Sequence, residues 1–452
     1  MKLFVTIAEE SAESAVAAIR RLAADHDGVE VRVERFPSHD PATFRAATKK
    51  PIILTRRGAA QAAASVAAAL AAGIDLVDVE YGPDLGWITQ FRDRVVLSHH
   101  DFDGMPDLEP LLRDMRSHAC VHTKLAVTPR SLEDNFELLR HQRGGTTLIG
   151  MGERGLFSRI LAPFQGSELV FVSPSEDRAA APGQITLERA LAIYGDRRDP
   201  WSAGDLARES PAIFAIAGNP AGHSLSPSIH NPLFRSKGAR AAYTIASVES
   251  FGELERPLLD RRIRGLSITA PFKENAFAFA RKQGAEIGEN AQACQAVNTL
   301  VNLSDGLIAD NTDVDGFTRI LSRLCGRDRK TVALVGAGGT ARAALVALDR
   351  AGMRVIVYNR GEERGRSLAA AAGAAFEPLD SLAAFGGEIV INTLPTGADV
   401  RMPLRPGMTL IEAAYGVTRV YPAGVEVVDG LELLQAQAMR QHELFMRVFD
   451  ES

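Results

Sequence analysis

Eight short runs rich in β-branched residues, separated by Ala-rich stretches of helical periodicity, fill the first half of the chain, and few folds accept that order. The runs predict strands over 2–7, 28–34, 51–55, 76–81, 94–101, 121–127, 146–151 and 168–173, with helical patterns between them, as over 11–25, 59–72 and 131–141. Strands separated by a helix pair in parallel, because a long crossover returns the chain to the end of the sheet where it started. About eight such units in succession match a small (β/α)8 barrel. A doubly wound sheet is the alternative, since periodicity does not show closure; the barrel is the expected architecture.

From 194 to 211 the text turns polar, aperiodic and Pro- and Gly-bearing, which reads as a linker. A second α/β series opens with a strand over 212–217, and inside it Thr331–Val335 precedes Gly336-Ala337-Gly338-Gly339-Thr340-Ala341. The expected organisation is a barrel over 1–197, a linker over 198–211, an α/β domain over 212–315 completed by a C-terminal helix near 430–450, and a Rossmann domain over 316–429. Lys plus Arg number 51 against 56 Asp plus Glu, a net −5 that gives no electrostatic reason to expect nucleic acid or an anionic membrane as partner. The longest apolar stretch, 62–74, falls short of the roughly 20 residues a membrane helix needs. Cys120, Cys294 and Cys325 are isolated and lack metal-ligand spacing, so no disulfide framework is expected. The opening Lys2-Leu-Phe-Val-Thr-Ile7 has strand grammar rather than that of a signal or transit peptide. A cytoplasmic enzyme is the expectation.

In a barrel enzyme the chemistry sits at the carboxyl ends of the strands. Glu30, Arg32, Arg57, Glu80, His100 and Lys124 lie in or just after otherwise apolar runs. Barrel interiors fill with branched apolar side chains, so a mid-strand charge needs a partner or a task. Any one of these fits a salt-bridged structural role as well as catalysis; the set is most simply one cavity. A lysine desolvated among apolar and cationic neighbours loses affinity for its proton and becomes an amine nucleophile toward a ketone. A nearby histidine can then remove a proton next to the resulting imine.

These segments resemble type I 3-dehydroquinate dehydratase. The resemblance runs, in family order, through Glu30-Val-Arg32-Val-Glu34, Leu54-Thr-Arg-Arg57, Val77-Asp-Val-Glu80, Ser98-His-His100-Asp-Phe102, Lys124-Leu-Ala-Val-Thr-Pro129, Gly155-Leu-Phe-Ser-Arg159 and Ala181-Pro-Gly-Gln184. It implies that Lys124 forms a Schiff base with the C3 carbonyl of 3-dehydroquinate. His100 is then the general acid/base and Glu80 orients it. Arg159 binds the substrate carboxylate, while Glu30, Arg32, Arg57 and Gln184 hold hydroxyls and shape a lid. Ala180 stands where many relatives carry Ser, which removes one lid hydroxyl. His99-His100-Asp101 has a rival interpretation as a metal cluster, but metal-dependent barrels place paired histidines on the first strand and 2–7 has none, so no metal is expected.

In the second half, the glycines of Gly336–Ala341 lie between a strand and an Ala-rich helix, where they allow a tight turn and bring backbone amides onto a pyrophosphate. The next strand ends in Asn359-Arg360 rather than an acidic residue. An arginine there, with Arg364 as a second cation, favours the 2′-phosphate of NADP over the ribose diol of NAD. Upstream, Gly222-His-Ser224-Leu-Ser226-Pro227 places two hydroxyls in a turn before a helix, where capping is the bland alternative. Ser267-Ile-Thr269-Ala-Pro-Phe-Lys273, Ala296-Val-Asn298 and Asp310-Asn-Thr-Asp313 follow. Together these resemble shikimate dehydrogenase over 212–452. The resemblance implies that Ser224, Ser226, Thr269, Asn298, Asp313, Tyr415 and Gln437 grip shikimate, that Lys273 and Asp313 are the catalytic pair, and that Gly336, Ala337, Gly338, Gly339, Thr340, Ala341, Asn359, Arg360 and Arg364 hold NADP(H). Ser267 replaces an Asn common in bacterial relatives, and Gly361 replaces the Thr that usually follows Asn-Arg.

The expected protein is thus a bifunctional enzyme taking 3-dehydroquinate to 3-dehydroshikimate and on to shikimate. An NAD-dependent quinate/shikimate dehydrogenase half is one rival. A catalytically silent regulatory homologue is another, and it predicts eroded catalytic positions; Lys124, His100, Lys273 and Asp313 are all present.

Overall fold

The structure, a computed structural model, describes residues 1–58, 61–195, 210–324, 330–416 and 420–450. They fall into two compact units, Met1–Ile216 with Pro220–Glu249, and Ala217–Asn219 with Ser250–Ser452. Most of the predicted linker, and Cys325, lie outside the described residues. Among the described residues no helix is long and apolar enough to cross a membrane.

In the first unit, strands β1 (Lys2–Ile7), β2 (Gly28–Arg32), β3 (Ile52–Thr55), β4 (Leu76–Glu80), β5 (Val95–Asp101), β6 (His122–Val127), β7 (Thr146–Gly150) and β8 (Leu169–Val172) each end within two residues of the predicted runs. Helices α1 (Ala12–Arg21), α2 (Ala42–Ala47), α3 (Ala63–Ala71), α4 (Leu108–Ser117), α5 (Leu132–His141), α6 (Leu156–Leu161) and α7 (Leu187–Tyr194) follow seven of them. The predicted helix over 11–25 stops at Arg21, where Leu22 turns to extended backbone ahead of Asp25 and Asp27, charges disfavoured at a helix C-terminus. Between β4 and β5 the breakers Gly82, Pro83 and Gly86 leave only 3-10 turns.

The sheet order is β7-β6-β5-β4-β3-β2-β1-β8. No backbone ladder joins the end strands. Across that seam Thr147 Oγ1 donates to Leu169 O at 3.2 Å and Gly145 N to Glu168 Oε1 at 3.3 Å, so the barrel is nearly closed. Alternate residues point inward: Phe4, Ile53, Ile149, Leu169 and Phe171 form the apolar plug inside the barrel. Leu108 and Leu112 of α4 and Leu138 of α5 cover Leu125, Val127 and Leu148 on its outer face. Ser11 and Ser131 head α1 and α5 with reciprocal capping boxes. The unit is completed by β9 (Ala212–Gly218) up to Ile216, α8 (Ser226–Ser236), which packs on α7, and β10 (Ala241–Ser247), which packs on α6.

The second unit begins with α9 (Gly252–Leu259), β11 (Gly265–Ile268), α10 (Lys273–Lys282), β12 (Glu286–Ile287), α11 (Glu289–Cys294), β13 (Thr299–Asn302), β14 (Leu307–Asp310) and α12 (Asp313–Leu324). Their strands run β11-β13-β14-β12, and the 217–219 segment lies along β11 through Thr269 N to Ala217 O, 2.9 Å. The chain continues as β15 (Thr331–Val335), α13 (Gly339–Arg350), β16 (Arg354–Asn359), α14 (Glu362–Ala371), β17 (Ala375–Pro378), β18 (Ile389–Asn392), β19 (Thr409–Glu412), β20 (Glu426–Val428) and α15 (Gly430–Met446). This sheet is all parallel, in the order β17-β16-β15-β18-β19-β20. Counted from its own first strand that is 3-2-1-4-5-6, the Rossmann order. Its strands are apolar runs because both faces are covered, one by α12–α15 and the other by the 3-10 turn Leu379–Ala384 with Leu394, Met402 and Leu404. Phe317 of α12 is wholly buried in the same cluster as Ala344 and Leu348 of α13 and Leu433 of α15. Phe317→Ala is expected to lower stability by about 3–5 kcal/mol in chemical denaturation; a loss under about 1 kcal/mol contradicts this packing.

Candidate active sites

Period-two alternation brings Glu30, Asp78, Ser98 and Lys124 inward on four strands, above the apolar plug. Lys124, 4% exposed, donates from Nζ to Glu30 Oε1 at 2.9 Å and to Asp78 Oδ2 at 3.2 Å, and sits 3.8 Å from the centroid of the Phe171 ring. Glu30 also accepts from Thr6 Oγ1 (2.8 Å) and Thr55 Oγ1 (3.0 Å). Burial opposes ionisation of Glu30, but Lys124 and Arg57 outweigh it and bring its pKa to about 2; the same two cations hold Asp78 well below the usual carboxylate range. Both acids therefore stay charged, and each has a cation beside it.

Arg57 ties this cluster to a histidine. Its Nη1 lies 2.8 Å from Glu80 Oε2, 3.0 Å from Ser98 Oγ and 2.9 Å from His100 Nδ1, and its Nη2 lies 3.3 Å from Asp78 Oδ2. His100 Nδ1 is also 2.9 Å from Glu80 Oε2, and its backbone N–H donates to Glu80 Oε1 at 3.0 Å. Nδ1 either donates to Glu80 or accepts from Arg57. Arg57 has other acceptors, so a proton on Nδ1 satisfies more groups and leaves Nε2 as a base. Burial lowers the His100 pKa below its ordinary value, Arg57 and Lys124 add to that, and the Glu80 bond works against it. The imidazole is neutral at pH 7.

Five of the predicted barrel residues, Glu30, Arg57, Glu80, His100 and Lys124, thus converge. Arg32 does not join them: it pairs with Glu34 at 2.5 Å, the nearer acid. Arg159 Nη1 donates to Pro182 O (3.2 Å) in the loop after β8, and Gln184, in that same loop, donates from Nε2 to Thr6 Oγ1 on β1 (3.0 Å). Gln184 Oε1 accepts from the backbone of Ala180 at 2.9 Å, a bond that needs no hydroxyl there. Burial brings Arg159 to about 10, still cationic at neutral pH. Asp78 escaped sequence reasoning, although it precedes Glu80 by two and therefore shares its face. Among the described residues no three His, Cys, Asp or Glu side chains form a metal-binding group.

In the second unit, Lys273 at the start of α10 donates from Nζ to Asp313 Oδ2 at 2.5 Å and to Thr340 Oγ1 at 3.0 Å. Asn298 Nδ2 donates to Asp313 Oδ1 (2.9 Å) and to Thr312 Oγ1 (3.0 Å), and Thr312 Oγ1 donates to Gln437 Oε1 (2.9 Å). Gln441, one turn along α15, accepts from Ser267 Oγ (2.6 Å) and donates to Thr299 Oγ1 (2.7 Å). Lys273, Asp313, Asn298 and Gln437 are therefore one polar network; Thr312 and Gln441 were not foreseen in it. Thr269 is half-buried after β11, and Tyr415 half-buried after β19. Ser224 and Ser226 belong to the first unit, both buried. Ser224 Oγ donates to Ser226 Oγ (3.1 Å) and accepts from Ser226 N (3.2 Å), while α8 has no side-chain N-cap.

The turn from β15 to α13 suits a dinucleotide phosphate. Gly336 has φ +109°, and a Cβ there would lie 2.4 Å from Thr393 Oγ1. Gly338 caps α13 without a side-chain hydrogen bond, and no atom stands within 4 Å of where its Cβ would be, while Lys273 packs against Gly339. Arg360 is exposed. Arg364, in contrast, donates from Nη2 to Glu274 Oε1 at 2.7 Å, and Arg342 lies 3.6 Å from the same oxygen.

These features define a two-site chain, a barrel with a buried, ion-paired lysine at its centre joined to a unit with a nucleotide-type glycine turn. The family model for type I 3-dehydroquinase matches residues 3–198, and that for the shikimate dehydrogenase substrate binding domain matches 216–300. Over 252 residues the chain is 32% identical to a shikimate dehydrogenase (NADP(+)) of Syntrophobacter fumaroxidans, covering 52% of this chain and 87% of that one. Over 422 residues it is 28% identical to the chloroplastic bifunctional 3-dehydroquinate dehydratase/shikimate dehydrogenase of Arabidopsis thaliana, covering 83% and 68%. It is 27% identical over 375 residues to the shikimate biosynthesis protein AroDE of Chlamydia pneumoniae, covering 79% and 74%. The chain belongs to the shikimate dehydrogenase family through its C-terminal half, and its N-terminal half matches the type I 3-dehydroquinase model.

An NMR titration tests the histidine environment. The His100 imidazole is expected to titrate below about 6.5, the ordinary value, and Glu80→Gln to lower it further by removing the bond that favours the cation. A midpoint above 6.5, or a rise in the variant, contradicts the arrangement.

Proposed function

We propose that the chain catalyses two consecutive steps of the shikimate pathway of aromatic amino acid biosynthesis, dehydrating 3-dehydroquinate to 3-dehydroshikimate and reducing that ketone to shikimate with NADPH. The observation that carries it is Lys124, buried among Glu30, Asp78 and Phe171 and linked through Arg57 to His100. Lys124 reacts as the free amine, its ammonium proton leaving to solvent as substrate binds; Nζ then adds to the C3 carbonyl, and the adduct loses water to a C=N bond. The imine draws electrons from the neighbouring C–H. His100 takes that proton, the C–H electron pair becomes C=C, and the β-hydroxyl departs with the proton His100 returns, as water. Hydrolysis of the imine restores Lys124. Glu80 holds His100 in the basic tautomer, and Arg159 pairs with the substrate carboxylate. Glu30, Arg57 and Gln184 order the hydroxyls, with Arg32 at the rim.

In the second site, Ser224, Ser226, Thr269, Asn298, Tyr415 and Gln437 bind the carboxylate and hydroxyls. Lys273 delivers a proton to the C3 oxygen, and Asp313, 2.5 Å from its Nζ, orients the ammonium. Gly336–Ala341, Asn359, Arg360 and Arg364 hold NADPH, which supplies the hydride when bound. Arg364 exchanges Glu274 for the 2′-phosphate. The functional divisions are 1–197, 212–315 with the helix near 430–450, and 316–429.

Borohydride added during turnover is expected to fix a product on Lys124, seen as a mass gain on its peptide. Lys124→Ala should lose that adduct and the dehydration while still reducing 3-dehydroshikimate. Lys273→Ala should slow reduction by about 10²–10⁴-fold and leave dehydration intact. An adduct elsewhere, or dehydration surviving in Lys124→Ala, contradicts the proposal.

A further inference from the structure

The loop Ala221–Ser226, which on the reading above binds the shikimate carboxylate, is held on both sides of its backbone by residues of the dehydratase barrel. Glu153 lies between β7 and α6, six residues before Arg159 of α6. One of its carboxylate oxygens, Oε1, accepts from Gly222 N at 2.8 Å, Ala221 N at 2.9 Å and Ser247 Oγ at 2.8 Å. Burial raises its pKa, but the bonds from Gly222, Ser247 and Ala221 outweigh this and leave it below the ordinary value, so the acceptor is a carboxylate. Arg189 of α7 grips the opposite polarity: its Nη1 donates to Gly222 O at 3.0 Å and its Nη2 to Ser224 O at 2.7 Å. A Cβ on Gly222 would lie 2.9 Å from Glu153 Cγ, so the contact is close and specific to glycine. Between these clamps Ser224 N donates to Ala221 O at 3.0 Å and the two serine hydroxyls bond each other. Nothing in the imine chemistry uses Glu153 or Arg189.

We infer that Glu153 and Arg189 are positioning residues for substrate binding in the reduction step, so that the barrel supplies part of the support of the dehydrogenase substrate site. Charged hydrogen bonds of this kind are individually strong because the acceptor is ionised. Without them the free loop samples other backbone geometries, and ordering it is drawn from substrate affinity rather than from the chemical step. The inference rests on the proposed reduction of 3-dehydroshikimate.

The test is steady-state kinetics of the full chain for both reactions, in Glu153→Ala, Glu153→Gln and Arg189→Ala, with Glu109→Gln as control. Glu109 is an exposed barrel carboxylate that pairs with Arg113 of α4 at 3.0 Å. The KM for 3-dehydroshikimate is expected to rise about tenfold, with kcat within about twofold, in Glu153→Ala and Arg189→Ala. Glu153→Gln keeps the shape and loses the charge, so it should fall between. Dehydration should persist, which also reports that the barrel is folded. A change that only impaired folding would lower the kcat of both reactions and spare KM. An unchanged KM in all three variants, or parallel loss of both activities in Glu153→Gln, overturns the inference. A wild-type chain that reduces no 3-dehydroshikimate refutes the functional proposal itself, and the positioning role with it.

Discussion

A lysine stays at the centre of the barrel because Glu30 and Asp78 lie 2.9 and 3.2 Å from its Nζ, and those acids stay ionised because Arg57 stands on their other side. Burying four charges is costly, and removing one partner of such a cluster costs about 3–5 kcal/mol because the others are left uncompensated. The cluster is therefore poor as a stabilising device and good as a positioning one. It aims the amine, fixes Arg57, and through Arg57 and Glu80 fixes the tautomer of His100. The apolar plug of Phe4, Ile53, Leu169 and Phe171 beneath it keeps these charges at one end of the barrel.

The second unit solves a similar problem with neutral groups. Lys273 and Asp313 are the charged pair, and Asn298, Thr312 and Gln437 connect Asp313 to α15 through hydrogen bonds that are mutually satisfied. Such networks fix side-chain orientation more tightly than packing alone. Both sites thus present one amine held by carboxylate, Lys124 by Glu30 and Asp78 and Lys273 by Asp313. On the proposed function the amine is a nucleophile in the barrel and a proton donor in the second site.

Much of this was legible in the sequence. The eight barrel strands announced themselves because β-branched runs alternate with Ala-rich helices, and Lys124, His100 and Glu80 stood out as charges inside apolar runs. The Rossmann turn was legible because its glycines sit between a strand and a helix. What pairs with what was less so. Asp78 was overlooked beside Glu80. The acids that hold Arg32 and Arg364, Glu34 and Glu274, did not show in the sequence, Glu274 lying 90 residues from its partner. Gln441 and Ser267 meet across 174 residues. Nothing in the sequence marked Glu153 or Arg189, because only the fold brings them to the serine loop.

The central claim is that the two sites act in sequence. It is tested most directly in one cuvette containing the purified chain, 3-dehydroquinate and NADPH, with nicotinamide absorbance followed and NADH run in parallel. The account predicts loss of NADPH without added 3-dehydroshikimate, and a slower loss of NADH. No oxidation with 3-dehydroquinate, when 3-dehydroshikimate supplied directly is reduced, would contradict the assignment of the barrel; none with either substrate would contradict the account as a whole.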